Sequence, residues 1–100
     1  MQALEVTTFK LHSGLTVADF IVAHADGDAW LLKETGFISR RIAERDDGVI
    51  IDTLIWASVR DGEDGAARLI TDLADSPVHA AIDQRTVDWT VSPIHHAIGR

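Results

Sequence analysis

The 100-residue sequence predicts an α+β domain, a four-stranded antiparallel sheet with its helices on one face, in the order β-α-β-β-α-β. Three observations carry this reading. Four short runs are rich in β-branched and aromatic residues, as strands are. Two stretches between them repeat apolar residues at helical spacing. One tight-turn signal, Asp47-Gly48, separates the second and third runs.

The elements follow in order. "EVTTFKLH" (5–12) reads as the first strand, ended by Ser13 and Gly14. Thr16 has N-cap chemistry, and Asp19 stands in the capping-box position. Val17, Phe20, Ile21, Leu31 and Leu32 form the stripe of one helix, weakened at Gly27 and closed by Gly36 as its C′ residue. Residues 37–45 and 49–59 form a hairpin around "RDDG". "RDGEDG" (60–65) reads as a polar loop because of its glycines. It leads into a helix marked by Ala66, Leu69, Ile70, Leu73 and Ala74. Ser76 and Pro77 open a short helical segment over 76–83. "RTVDWTVS" (85–92) is the fourth strand, stopped by Pro93. This order is the split βαβ, ferredoxin-like arrangement, in a single domain covering 1–100.

The third strand is apolar on both sides. One side carries Val49, Ile51, Thr53, Ile55 and Ala57; the other carries Ile50, Asp52, Leu54, Trp56 and Ser58. Helices bury one side. A second copy, packed sheet to sheet through the helix-free face, is the simplest cover for the other. The alternation does not say which face carries Asp52 and Trp56.

Composition narrows the function. Nine basic against sixteen acidic residues give a net charge of −7, which argues against a nucleic-acid backbone or an anionic membrane as partner. Cysteine, asparagine and tyrosine are absent, so no chemistry of this chain uses those side chains. No apolar run approaches the roughly 20 residues of a membrane span. The N-terminus lacks the basic-then-apolar pattern of a signal peptide, so the expected location is the cytoplasm. "GEDG" lacks the Lys-Ser/Thr pair of a phosphate loop. His95 and His96 are adjacent on an extended tail and point opposite ways, so they make no metal site. No cofactor or metal is expected.

The segment "ETGFISRRIAERDDGVIIDTLIWAS" resembles the dimeric α+β barrel proteins of the antibiotic-biosynthesis-monooxygenase-like superfamily. The matching features are Gly36-Phe37, Asp47-Gly48 and Trp56-Ala57-Ser58. The element order extends the likeness over nearly the whole chain. The resemblance implies two sheets packed face to face, with ligands held between helices and sheet within each protomer. Members of the superfamily include cofactor-independent oxygenases and haem-degrading enzymes. Some of the oxygenases place an amide four residues before the third-strand Trp, where this chain has Asp52. The haem-degrading members use an Asn and a His about ten residues after that Trp. Here there is no Asn and the downstream position is Ala66, which disfavours haem degradation.

The candidate catalytic residues are Asp52 and His24. The candidate ligand-binding residues are Trp56, Phe20 and His79. Asp52 and Trp56 share a strand face. Asp52 would be a base toward a phenol or enol if buried alone, and a structural ion-pair partner if Arg40 or Arg41 reaches it. Trp56 reads either as the wall of a pocket for a flat ligand or as a core aromatic. His24 and His79 read as acid/base groups or as core histidines bonded to carbonyls. A purely structural interaction module, its pocket filled by its own side chains, is one reading; two further functions use an open cavity. One is a cofactor-independent monooxygenase acting on an apolar aromatic or polyketide-like substrate. The other is a non-catalytic homodimeric ligand-binding or accessory protein.

Overall fold

A computed structural model describes residues 1–100. The strands are β1 (Ala3–Leu11), β2 (Phe37–Glu44), β3 (Ile50–Trp56) and β4 (Ile82–Pro93). The helices are α1 (Val17–Ala23), α2 (Ala25–Leu31), α3 (Val59–Asp72) and α4 (Val78–Ala81). The sheet is antiparallel throughout, in the order β2-β3-β1-β4. That is the ferredoxin-like order, with every helix on one face.

Local chemistry starts α1 as expected. Thr16 accepts from the Asp19 N–H at 3.2 Å, and the Asp19 carboxylate accepts from the Thr16 N–H at 2.8 Å. The expected single helix is instead two, broken at His24 with φ −95° and ψ 11°. Ile21 and Leu32 therefore fall outside the buried stripe and are exposed, while Phe20 and Leu31 are buried. Gly36 is not a helix cap. It lies after the C-cap Leu32, at φ +81°, and its carbonyl accepts from the Ala57 N–H at 2.7 Å.

The hairpin loop closes with the Arg45 N–H on the Val49 carbonyl and the Gly48 N–H on the Arg45 carbonyl, both at 2.9 Å. Only Gly48 takes a positive φ, +85°, so the connection is a three-residue loop ending in a left-handed glycine. Replacing Gly48 with valine should cost about 1 kcal/mol or more, because a β-branched residue resists that backbone region. Thermal melts of the variant test this, and an unchanged melting curve would refute it.

Two further differences shape the site. Residues 60–65 are not a loop: α3 begins at Val59, immediately after the Ser58 N-cap. Gly62 and Gly65 lie inside this helix because the Trp56 indole presses on its backbone; a Cβ at Gly65 would stand 2.5 Å from the Trp56 Cη2 atom. The fourth strand starts early, at Ile82, after a four-residue α4, and its pairing with β1 is irregular between Thr8 and Lys10.

The helix-facing side of β3 is Ile50, Asp52, Leu54 and Trp56, all buried. The core it helps to build is split. Ala3, Leu31, Leu54 and Trp56 pack at one end, and Phe9, Phe20, Ile50 and Val78 at the other. Only 16 of the 100 residues are buried. The two clusters therefore leave room between them, and the helix-free face carries Val6, Ile51 and Ile55 half-covered and Leu4 exposed.

Candidate functional site

Strand register brings three rows of residues to the helix-facing side. Ile42, Asp52, Thr7 and Trp89 lie across the sheet in one row. Arg40, Leu54, Glu5 and Val91 form the next, and Trp56 and Ala3 stand in the third. A cavity of about 560 Å³ opens between these rows and the helices. That volume lies within the range of small-molecule sites, about 300–1,000 Å³. Its walls include Trp56, Trp89, Trp30, Phe9 and Phe20. Asp52, His24, Trp56, Phe20 and His79, picked out from the sequence, all line this one cavity.

Asp52 is gripped by Arg40 in a two-point fork. The Arg40 Nε donates to Oδ1 at 2.9 Å and Nη2 donates to Oδ2 at 2.5 Å. Both groups are nearly inaccessible, so the pair is a buried ion pair. Arg41 belongs to the opposite face of β2, paired with Thr53. The remaining Arg40 amine, Nη1, donates to Asp28 Oδ1 and to His24 Nδ1, each at 2.7 Å.

That contact decides the state of His24. A guanidinium only donates, so Nδ1 must accept and the ring proton sits on Nε2. Burial, followed by the Arg40 charge, holds the imidazole below its ordinary pKa, which keeps it neutral at pH 7. Gly27 makes room for the ring, since a Cβ there would overlap the imidazole. Phe20 packs against it at 5.7 Å between centroids and against Phe9 at 5.1 Å. His79 spends Nε2 on the Leu73 carbonyl at 2.8 Å.

The carboxylate overlooked in the sequence is Glu5. It is buried on β1 and accepts one indole N–H on each oxygen: Trp56 Nε1 on Oε1 at 2.8 Å, and Trp89 Nε1 on Oε2 at 2.7 Å. Burial pushes its pKa above the ordinary carboxylate range, against the pull of the two indoles. A signal was present: Ala3, Glu5, Thr7 and Phe9 alternate on one strand face, with a carboxylate among apolar residues, as Asp52 is on β3. Trp30 and Trp89 were overlooked as well. Trp30 joins α2 to α3 through an indole hydrogen bond to Asp72 at 3.0 Å.

No family model and no curated protein matches this chain in sequence. Solved structures do match in fold. The cofactor-independent oxygenase SnoaB from Streptomyces nogalater superposes with a TM-score of 0.75 at 14% identity, over 99% of this chain and 98% of that one. The monooxygenase ActVA-Orf6 of Streptomyces coelicolor, solved with the ligand nanaomycin D, gives 0.73 at 18% identity, over 98% and 91%. A conserved protein from Methanosarcina mazei Go1 gives 0.68 at 12% identity, over 92% and 91%. The chain thus has the fold of the antibiotic-biosynthesis-monooxygenase-like proteins, the superfamily that its Gly36-Phe37, Asp47-Gly48 and Trp56-Ala57-Ser58 segments resemble.

Proposed function

We propose that this protein is a cofactor-independent monooxygenase acting on a flat, apolar aromatic or polyketide-like molecule bound between the helices and the sheet. The observation that carries the reading is one aromatic-walled cavity in which Glu5, His24 and the Arg40–Asp52 pair converge. The likeness in fold to two named oxygenases, one solved with nanaomycin D, adds support. Such a substrate is an electron-rich phenol or enol. Once it loses a proton, the anion can reduce dioxygen directly. His24 Nε2–H is a neutral donor for the anionic oxygen that develops. Asp52 serves through Arg40: it orients the guanidinium that sets the His24 tautomer.

A tricyclic phenol, 1,8-dihydroxyanthrone, is a suitable probe. Quenching of tryptophan fluorescence reports binding, and an oxygen electrode reports uptake above the uncatalysed rate. Binding with uptake supports the reading. Binding without uptake would replace it with that of a non-catalytic ligand-binding protein.

We also propose a homodimer through the helix-free sheet face. Leu4, Val6, Ile51 and Ile55 present an apolar surface there with no helix over it. A stable interface of about 1,200 Å² or more would bury it. Sedimentation equilibrium at micromolar concentration should show the dimer mass, and monomer alone would rule this out.

A further inference from the structure

We propose that Glu5 is the proton acceptor of the cavity, removing the acidic proton of a bound phenol or enol; this rests on the oxygenase reading above. The geometry selects it among the groups that face the site. Asp52 on β3 has both oxygens tied to the Arg40 guanidinium in a buried ion pair, and a proton placed on it would leave that guanidinium short of its partner. His24, between α1 and α2, has its basic nitrogen occupied by Arg40. Glu63 on α3 is exposed, and His79 on α4 is tied to the Leu73 carbonyl. Glu5 is held by two neutral indoles instead, so its orientation is locked without a direct ion pair. Each carboxylate oxygen keeps a second lone pair. Trp56 and Trp89 then have two tasks, walling the cavity and aiming the base.

The proton balance closes with dioxygen as oxidant. The phenol or enol reacts as its keto tautomer: one C–H bond of its acidic CH2 group breaks, the proton goes to Glu5, and the electron pair stays on the substrate as an enolate. The enolate passes one electron to dioxygen, and the resulting radical pair combines into a peroxide anion. This anion takes the proton back from Glu5. Glu5 then removes the second hydrogen of the same carbon as the O–O bond breaks. Hydroxide leaves and collects that proton as water, giving a ketone and a carboxylate ready for the next turn.

The test uses 1,8-dihydroxyanthrone, first without oxygen. Wild type should bind the probe and show the absorbance of its anion. Glu5→Gln should still quench tryptophan fluorescence but leave the probe un-ionised. In air, Glu5→Gln should lose about 10²- to 10⁴-fold in oxygen uptake, the usual contribution of a positioned base. Wild-type uptake should fall on the acid side as Glu5 takes a proton. Trp89→Phe removes a donor that favours the ionised form, so that limb should move to higher pH. Trp89 is 44% exposed, so this variant is expected to fold even if Glu5→Gln does not. Glu5→Gln matching wild type in ionisation and uptake would overturn the proposal. So would an acid limb that moves with His79→Gln and not with Trp89→Phe. Glu5-dependent ionisation without oxygen uptake would support Glu5 and refute only the oxygenase reading.

Discussion

Replacing Trp56 with alanine should cost about 3–5 kcal/mol of folding stability, the usual loss for a large buried aromatic. The side chain is 1% exposed. Its indole lies on the backbone of α3 at Gly62 and Gly65, meets Phe37 edge-on at 5.7 Å and donates its N–H to Glu5. Truncation would open a void under α3 and take one of two donors from a buried carboxylate. A domain of this size has only about 5–15 kcal/mol in total. Each kcal/mol is about 4–8 °C of melting temperature, so the midpoint should fall by at least about 12 °C. Gly65→Ala checks the cause. Alone it should destabilise, because the new methyl overlaps the indole and overpacking outweighs the gain in helix propensity of about 1 kcal/mol. In the Trp56→Ala background the overlap is gone and the same change should be neutral or stabilising. Additive effects in this cycle would show that the indole does not press on the helix.

Asp52→Asn should cost about 3 kcal/mol. Removing one partner of a buried ion pair leaves the other charge uncompensated, typically at about 3–5 kcal/mol. Here Asp28 still holds Nη1 of Arg40, which puts the loss at the lower end of that range. Chemical denaturation near neutral pH measures it, and a change under about 0.5 kcal/mol would contradict the burial of the pair. The double replacement Asp52→Leu with Arg40→Met should be milder than either single change, because it removes both charges together. Tryptophan fluorescence of the Asn variant with the phenolic probe reports the cavity as well. A loosened Arg40 should weaken ligand binding through His24, even where the variant folds.

Much of the architecture was legible in the sequence because its determinants are local. The capping box at Thr16 needs only two residues three apart. The hairpin needs one left-handed glycine at position 48. The two-sided apolar third strand shows in plain alternation. Asp52, His24, Trp56, Phe20 and His79 were legible as polar or aromatic residues set into otherwise apolar faces. What they do to one another was not. Gly62 and Gly65 argue for a loop on propensity, and only the indole lying across the chain makes them good helix residues. Arg40 and Arg41 are equivalent candidates for Asp52 until the register is known. The shift in β2 between Phe37 and Ser39 turns Arg40 toward the helices and Arg41 away, since one residue of slip exchanges the faces of a strand. Glu5 drew no attention because its partners, Trp56 and Trp89, lie 51 and 84 residues further along the chain. A buried carboxylate takes its character from what surrounds it in space, and here the sheet pairing chose a guanidinium for Asp52 and two indoles for Glu5.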